Sequence, residues 1–181
     1  MAGARDIAGR RYALAALEIA RQDGTLDDWL VSIDTLEALT DRSQYVNALQ
    51  ADGVTDAAFS AIVRQAHDGI GEKPLNLMRL LKRKRRLALG PSVAVFYREL
   101  LDQERNVARA TVQTAVALDD DRRTAIQRQL ATQTGKQVEI ESVVEPAMLG
   151  GMTIRIGDRL YDASTRTRLR SLKRDLERAV R

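Results

Sequence analysis

The sequence predicts a six-helix bundle followed by a compact α/β domain. Over the first 105 residues, apolar side chains recur at the spacing of an α-helix. After Arg105 they alternate with a period of two, as in a half-buried strand. Ala and Leu fill most apolar positions, while aromatics make up only 4% of the chain, which suits closely packed helices. We therefore expect two domains, residues 1–105 and 106–181.

Punctuating residues divide the first 105 residues into helices. Gly24 is placed to end the first helix, and Thr25 and Thr55 are placed to cap the second and the fourth. A short third helix lies between them, and the fifth is expected to extend to Leu87. Pro91 suits the first turn of a sixth helix because its missing N–H needs no partner there.

A strand and a helix are predicted directly after the bundle. One face of the strand carries residues of the segment "NVARATVQTAVAL", namely Ala108, Ala110, Val112, Thr114 and Val116. Asp119 is expected to cap the following helix and Gly135 to end it. The next segment, "QVEIESVV", alternates again and predicts a second strand.

The chain then predicts a hairpin and a last helix. A third short strand is followed by Gly157-Asp158, a two-residue turn of the type that begins with Gly. Asp162 or Ser164 is expected to cap the last helix. Its apolar stripe consists of Leu169, Leu172, Leu176 and Val180. The predicted order is strand, helix, strand, hairpin, helix.

Charge and composition exclude several classes of protein. The chain has no Cys, so disulfides and thiolate metal sites are ruled out. No run of about 18 apolar residues is present, so no spanning helix is expected. Residues 1–78 have a net charge of −5, residues 79–86 carry six basic residues, and residues 106–181 have a net charge of +4. This division predicts two surfaces for two partners. The N-terminal segment has charges inside its apolar pattern, which predicts a mature protein from a cytoplasm-like compartment.

No set of residues makes a convincing catalytic or cofactor site. The single histidine, His67, is expected at a helix end rather than as a base. The triplet Asp119–Asp121 is interpreted as a helix cap rather than a cation site. Gly150-Gly151 leads into a strand with no Lys after it, so a phosphate loop is rejected in favour of backbone freedom. No catalytic residue, metal or cofactor is expected.

Three features leave alternatives open. The basic run "RLLKRKRR" at 79–86 raises a nucleic-acid site, but no aromatic side chain is interleaved for base stacking. A solvated helix end or a contact to an acidic protein is the alternative. Trp29 either packs in the core or anchors a partner. The small face formed by Ala13, Ala16 and Ala20 either packs internally or receives a foreign helix.

Three motifs, in order, resemble one family across nearly the whole chain. The segment "RRYALAAL" at 10–17 is similar to its N-terminal signature, and "NLMRLLKRKRRL" at 76–87 to its central one. The C-terminal pattern matches at Gly150, Gly151, Gly157, Asp158, Asp162 and Ser164. The family is the delta subunit of bacterial ATP synthase, similar to the mitochondrial oligomycin-sensitivity-conferring protein. Lys84 and Arg85 stand where it usually has Asn and Gly, Asn106 replaces a common Gly, and Glu145 a common Asp.

The resemblance implies a non-catalytic stator subunit of a rotary, proton-driven ATP synthase. In this family the helical bundle takes the N-terminal helix of an alpha subunit into a groove between the first and fifth helices. The implied groove residues are Tyr12, Ala15, Ala16, Ile19, Leu77, Leu80 and Leu81. The C-terminal domain meets the b subunits of the peripheral stalk, for which the hairpin and the last helix, with Leu169 and Leu172, are the expected contacts.

The same resemblance implies where the protein works. The complex would hold it at the cytoplasmic face of the bacterial plasma membrane as a peripheral subunit. No nucleic-acid partner is expected on this view. The basic last helix, with residues such as Arg166, Arg170 and Lys173, suits an acidic stalk end.

Overall fold

A computed structural model describes residues 6–157 and 159–179 of the chain. This part is mostly helical, with eight α-helices and one four-stranded sheet. It forms two compact units that divide between Leu101 and Asp102. None of the helices within the described residues is long and apolar enough to cross a bilayer.

The first unit is built from helices joined by short turns. Their bounds are α1 (Ile7–Asp23), α2 (Leu26–Thr40), α3 (Ser43–Leu49), α4 (Asp56–Ala66), α5 (Glu72–Arg83) and α6 (Gly90–Glu104). Gly24 ends α1 in the left-handed conformation, with a φ of 68°, as the sequence predicts. Thr55 Oγ1 accepts a hydrogen bond from the N–H of Ala58 at 3.1 Å and so caps α4.

Two expectations about helix ends are wrong. Thr25 precedes α2, but its side chain makes no capping hydrogen bond. The fifth helix stops at Arg83 rather than reaching Leu87, because Arg85 turns the chain with a φ of 54°. A 3₁₀ turn, Leu87–Leu89, then leads into α6. Apolar spacing continues through this break, which is why it does not show in the pattern.

The core of the first unit resolves two of the open alternatives. Trp29 is 2% exposed and packs among the aliphatic side chains of the helices, so it is a core residue. Ala13, Ala16 and Ala20 are also buried, which gives the small face of α1 an internal packing role. Tyr97 lies in the same core and donates its hydroxyl to the carbonyl oxygen of Leu26 at 3.1 Å.

The division between the units falls inside α6. Leu101 is the last side chain of this helix in the core of the first unit. Asp102, the next residue, accepts a hydrogen bond from Arg109 Nε at 2.6 Å and so belongs with the strand that follows. The sequence boundary at residues 105 and 106 lies within four residues of this division.

The second unit is a mixed sheet with two helices. Its elements are β1 (Val107–Thr114), α7 (Asp120–Thr134), β2 (Gln137–Val144), β3 (Met152–Ile156), β4 (Arg159–Asp162) and α8 (Thr165–Ala179). The strand order is β2-β1-β3-β4, with β1 parallel to β2 and antiparallel to β3. β3 and β4 form the predicted antiparallel hairpin. The order of elements agrees with the prediction.

A small core joins α7 to one face of this sheet. Ala110 of β1, Val138 of β2 and Leu130 of α7 are its buried members. Asp119 caps α7 through a 2.7 Å hydrogen bond from the N–H of Arg122, and Gly135 ends it, both as predicted. Val116 was expected on the inner face of the first strand but lies beyond its end and is 65% exposed.

Candidate functional site

Two side-chain contacts link α1 to α5 and to the turn that follows it. Near the end of α1, Asp23 pairs with Lys73 at the start of α5, with a nitrogen–oxygen distance of 2.6 Å. Towards the start of α1, Tyr12 Oη accepts a hydrogen bond at 3.3 Å from Nη1 of Arg86, which lies three residues beyond the end of α5. The two helices are therefore antiparallel. Tyr12 and Asp23 are eleven residues apart, so the contacts bracket a stretch of about 16 Å at 1.5 Å per helical residue.

Partly exposed apolar side chains lie between these two contacts. Tyr12, Ala15 and Ile19 recur at spacings of three and four residues up to Asp23, on one face of α1. Leu77 and Leu80 follow Lys73 at spacings of four and three residues on α5. We call the five residues Tyr12, Ala15, Ile19, Leu77 and Leu80 the α1–α5 seam.

Burial separates the seven residues expected in this groove. Ile19 is 36% and Leu80 42% exposed. Ala15 is exposed as well, while Tyr12 and Leu77 are half-buried. Ala16 and Leu81 lie in the core of the unit, so neither offers surface to a partner. Sequence spacing alone did not separate these two from their exposed neighbours.

The basic run at 79–86 is largely engaged within its own unit. Lys82 Nζ donates to the carbonyl oxygen of Val54 at 2.7 Å and contacts Asp56 at 3.1 Å. Arg79 Nε donates to Ser60 Oγ at 2.8 Å. Arg85 pairs with Asp52 at 2.8 Å, and Arg86 bonds to Tyr12. Lys82 and Arg79 link α5 to α4 and to the loop before it. The run is therefore largely engaged and is not a free row of phosphate ligands.

In the second unit, Gly150 and Gly151 let the chain pass closely by the start of α8. Both have positive φ, at 140° and 82°. A Cβ on Gly151 would lie 2.5 Å from the carbonyl oxygen of Ala163. The carbonyl oxygen of Gly150 accepts a hydrogen bond from the N–H of Thr165 at 3.0 Å. The positive φ values agree with the predicted backbone freedom. The close contacts, however, are with the start of α8, whereas the sequence predicted a role in setting the strand against its neighbour.

Asp162 and Ser164 together cap α8. Ser164 Oγ accepts a hydrogen bond from the N–H of Thr167 at 3.3 Å. Asp162 accepts one from the N–H of Ser164 at 2.9 Å and one from the Thr167 hydroxyl at 2.7 Å. Hydrogen bonds from Ser164 and then Thr167 lower the pKa of the Asp162 carboxyl, with a smaller contribution from the charge of Arg170. Both expected capping residues therefore contribute.

The face of α8 that carries Leu169 and Leu172 is open. These side chains are 55% and 56% exposed. Leu176 and Val180, the other members of the predicted stripe, lie outside the residues whose side chains are described, and Asp158 of the turn lies outside the described residues. The helix therefore presents at least two large apolar side chains to solvent.

The remaining candidates have structural roles. His67 forms the C-cap of α4, and its Nδ1 lies 3.5 Å from Thr35 Oγ1. Asp119 caps α7. Among the described residues there is no group of three or more His, Cys, Asp or Glu side chains that could hold a metal ion.

Comparison with known proteins decides the family. The family model described as ATP synthase delta (OSCP) subunit matches residues 8–176. The chain belongs to the ATP synthase delta (OSCP) subunit family. The ATP synthase subunit delta of Agrobacterium fabrum is 35% identical over 168 residues, 90% of this chain and 88% of that protein. That of Chlorobium phaeobacteroides is 30% identical over 172 residues, 94% and 95% of the two chains.

A solved structure contains a chain with a similar fold. A chain in the cryo-EM structure of the Toxoplasma gondii mitochondrial ATP synthase hexamer is similar, with a TM-score of 0.66 and 17% identity. The similarity covers 94% of this chain and 98% of that chain.

Two departures from the delta-subunit motifs now have a structural meaning. Arg85 and Asn106 stand where the family usually has Gly. Both have a φ of 54°, and they are the two non-glycine residues with positive φ among those described. An L side chain is disfavoured in this conformation, although Asn tolerates it better than Arg does. The sequence pattern also gave no sign of the Asp23–Lys73 and Tyr12–Arg86 contacts, whose partners lie 50 and 74 residues apart.

Proposed function

We propose that this delta-subunit family member is a non-catalytic stator subunit of a rotary ATP synthase. Its helical unit acts as a six-helix bundle that grips the N-terminal helix of an alpha subunit. Its α/β unit binds the b subunits of the peripheral stalk. The link resists the torque of the rotor, so that proton flow drives ATP synthesis instead of turning the head. The protein works at the cytoplasmic face of the plasma membrane, held there by the complex.

The observation that carries the proposal is the α1–α5 seam. The Asp23–Lys73 ion pair and the Tyr12–Arg86 hydrogen bond mark the two ends of a stretch of about 16 Å, which is three turns of a helix. The side chains between the contacts are apolar and partly exposed. Ala15, the small residue of the seam, leaves room for another backbone to approach. Such a shallow apolar groove suits an amphipathic helix.

The stalk contact is proposed for α8. Leu169 and Leu172 supply exposed apolar surface, and Arg166 and Arg170 of the same helix are exposed as well. The cap at Asp162 and Ser164 and the close packing of Gly151 fix the start of this helix. An acidic, amphipathic stalk segment would complement it.

A nucleic-acid adaptor is not supported. The family comparisons point to ATP synthase subunits. Lys82, Arg79, Arg85 and Arg86 have partners within the first unit. Four of the six basic residues of 79–86 are therefore engaged and do not form a free row of phosphate ligands.

The seam is tested by placing a charge in its middle. Ala15→Asp puts a carboxylate on an exposed helical position, so the unit should stay folded while an apolar helix can no longer cover it. Ala38→Asp makes the same change on an exposed position of α2 and is the matched control. Calorimetric titration with a synthetic alpha-subunit N-terminal peptide should show at least about tenfold weaker binding for Ala15→Asp alone. Equal affinities for both variants would remove the seam assignment.

The stalk surface is tested in the full chain. Leu169→Asp with Leu172→Asp should abolish capture of a soluble b-subunit fragment and leave binding of the alpha peptide unchanged. Undiminished capture of the b fragment would move the stalk site elsewhere.

A further inference from the structure

The ends of the α1–α5 seam differ in charge. At the end where α1 begins, Arg11, Lys84 and Arg86 lie next to the seam, and all three are exposed. We call this the basic end. At the opposite end, Lys73 is paired with Asp23. Asp28 lines a cavity of about 350 Å³ together with that pair. Positive charge is therefore in excess at one end of the seam only.

The charges at the start of α1 are mixed. Asp6 is the N-cap residue, and its side chain accepts a hydrogen bond from the N–H of Ala8 at 2.8 Å. This carboxylate complements the positive partial charge of the helix N-terminus. Arg10 and Arg11 follow on the first turns of the helix, and both are exposed. Because Asp6 is engaged in the cap, the charge on the surface there comes mainly from the two arginines.

The end of α5 adds to the same charge. Lys84 is the C-cap residue of α5 and continues the stripe of Lys73, Leu77 and Leu80 at a spacing of four residues. Arg86 is held over the seam by its hydrogen bond to Tyr12.

We propose that the charges beside the seam determine the direction in which it binds a helix. The partner is an amphipathic helix whose acidic side chains gather towards one end, and that end lies over Arg11 and Lys84. A helix bound in the reverse direction loses these contacts and places its acidic side chains near Asp23 and Asp28. This inference rests on the proposed function, because it assigns an orientation and a charge pattern to the helix taken by the seam.

The first arm of the test measures affinity in the full chain. Calorimetry measures binding of the synthetic alpha-subunit N-terminal peptide to the chain that carries Arg11→Glu and Lys84→Glu. The control, Arg122→Glu/Arg123→Glu, makes the same change in total charge on α7. We expect about tenfold weaker binding for the seam variant at low salt, and a difference that shrinks near 1 M salt, where the screening length is about 3 Å. Arg11→Gln/Lys84→Gln should give an intermediate loss without introducing acidic side chains at the helix ends.

The second arm measures direction with the natural fluorophore. Trp29 is the only tryptophan of the chain and lines the same cavity as Asp23 and Lys73, at the end opposite the basic end. A dansyl acceptor is attached to either terminus of the peptide. On this proposal the terminus nearer the acidic residues of the peptide lies farther from Trp29. A dansyl group on that terminus should therefore receive less energy from Trp29 than one on the other terminus.

The outcomes separate the two claims. Equal binding by the seam and control variants, or equal transfer to both termini, would overturn the proposed orientation and leave the seam as a helix site. Failure of the wild-type chain to bind the peptide would refute the seam itself and the orientation with it.

Discussion

Replacing Arg85 with Gly should stabilise the first unit. Arg85 turns the chain between α5 and the 3₁₀ turn with a φ of 54°. The left-handed conformation destabilises an L residue by about 1–2 kcal/mol, whereas Gly has no Cβ and adopts it without this penalty.

Two effects offset part of the gain. Gly gives the unfolded chain more freedom, which costs about 0.5–1 kcal/mol. The substitution also removes the ion pair with Asp52, but its side chains are 76% and 93% exposed, and such pairs contribute close to nothing. The net gain lies between about 0 and 1.5 kcal/mol. Its centre, about 0.75 kcal/mol, corresponds to a rise in Tm of about 3–6 °C for a unit of this size.

The assay is urea denaturation followed by the fluorescence of Trp29, which lies in the core of the same unit. Arg85→Ala is the matched control, because it removes the ion pair and keeps the Cβ that makes the conformation unfavourable. We expect Arg85→Gly to be the most stable of the three proteins. A midpoint for Arg85→Gly no higher than that of Arg85→Ala would refute the strain argument.

Three further predictions concern α8 and the seam. The pKa of Asp162 is lowered, so its capping interaction is intact above the ordinary pKa range of a carboxyl group and is lost as the pH falls below that range. Amide exchange in α8 should accelerate at such low pH. Asp162→Asn should abolish this pH dependence. Gly151→Ala should destabilise the second unit by at least about 2 kcal/mol, because it adds a backbone clash to an unfavourable φ. Gly135 has open space around it, so Gly135→Ala should reduce the stability of this unit by only about 1–2 kcal/mol. Thermal melts of the two variants measure the difference. Leu80 is 42% exposed, and burial of a whole Leu side chain contributes about 1.5–3 kcal/mol. Covering the exposed fraction should therefore contribute about 0.6–1.3 kcal/mol to the binding free energy. Calorimetry should show about three- to ninefold weaker binding of the alpha peptide to Leu80→Ala.

The sequence predicted those elements whose signals are local. Gly24, Thr55, Asp119 and Gly135 end or cap helices as their residue types require. Alternation in "NVARATVQT" and "QVEIESVV" located β1 and β2. Each of these signals acts within a few residues of the chain, so no tertiary contact is needed to detect it.

Other features depend on contacts that are distant along the chain. Ala15 and Ala16 are neighbours of the same type, yet only Ala16 faces the core. The bracketing contacts of the seam join residues more than 49 positions apart. The break after Arg83 depends on the φ of Arg85, a residue type that gives no warning of a turn. The groove between α1 and α5 therefore stays a prediction, and the structure was needed to show which of its residues are exposed.

The central claim is that one chain holds the head and the stalk at the same time through separate surfaces. Light scattering after gel filtration tests it directly, with the full chain, an alpha-subunit N-terminal peptide carried on a larger fusion protein, and a soluble b-subunit fragment. The account predicts one species whose mass includes all three components. Two binary complexes that exclude each other, or a chain that elutes alone, would contradict it.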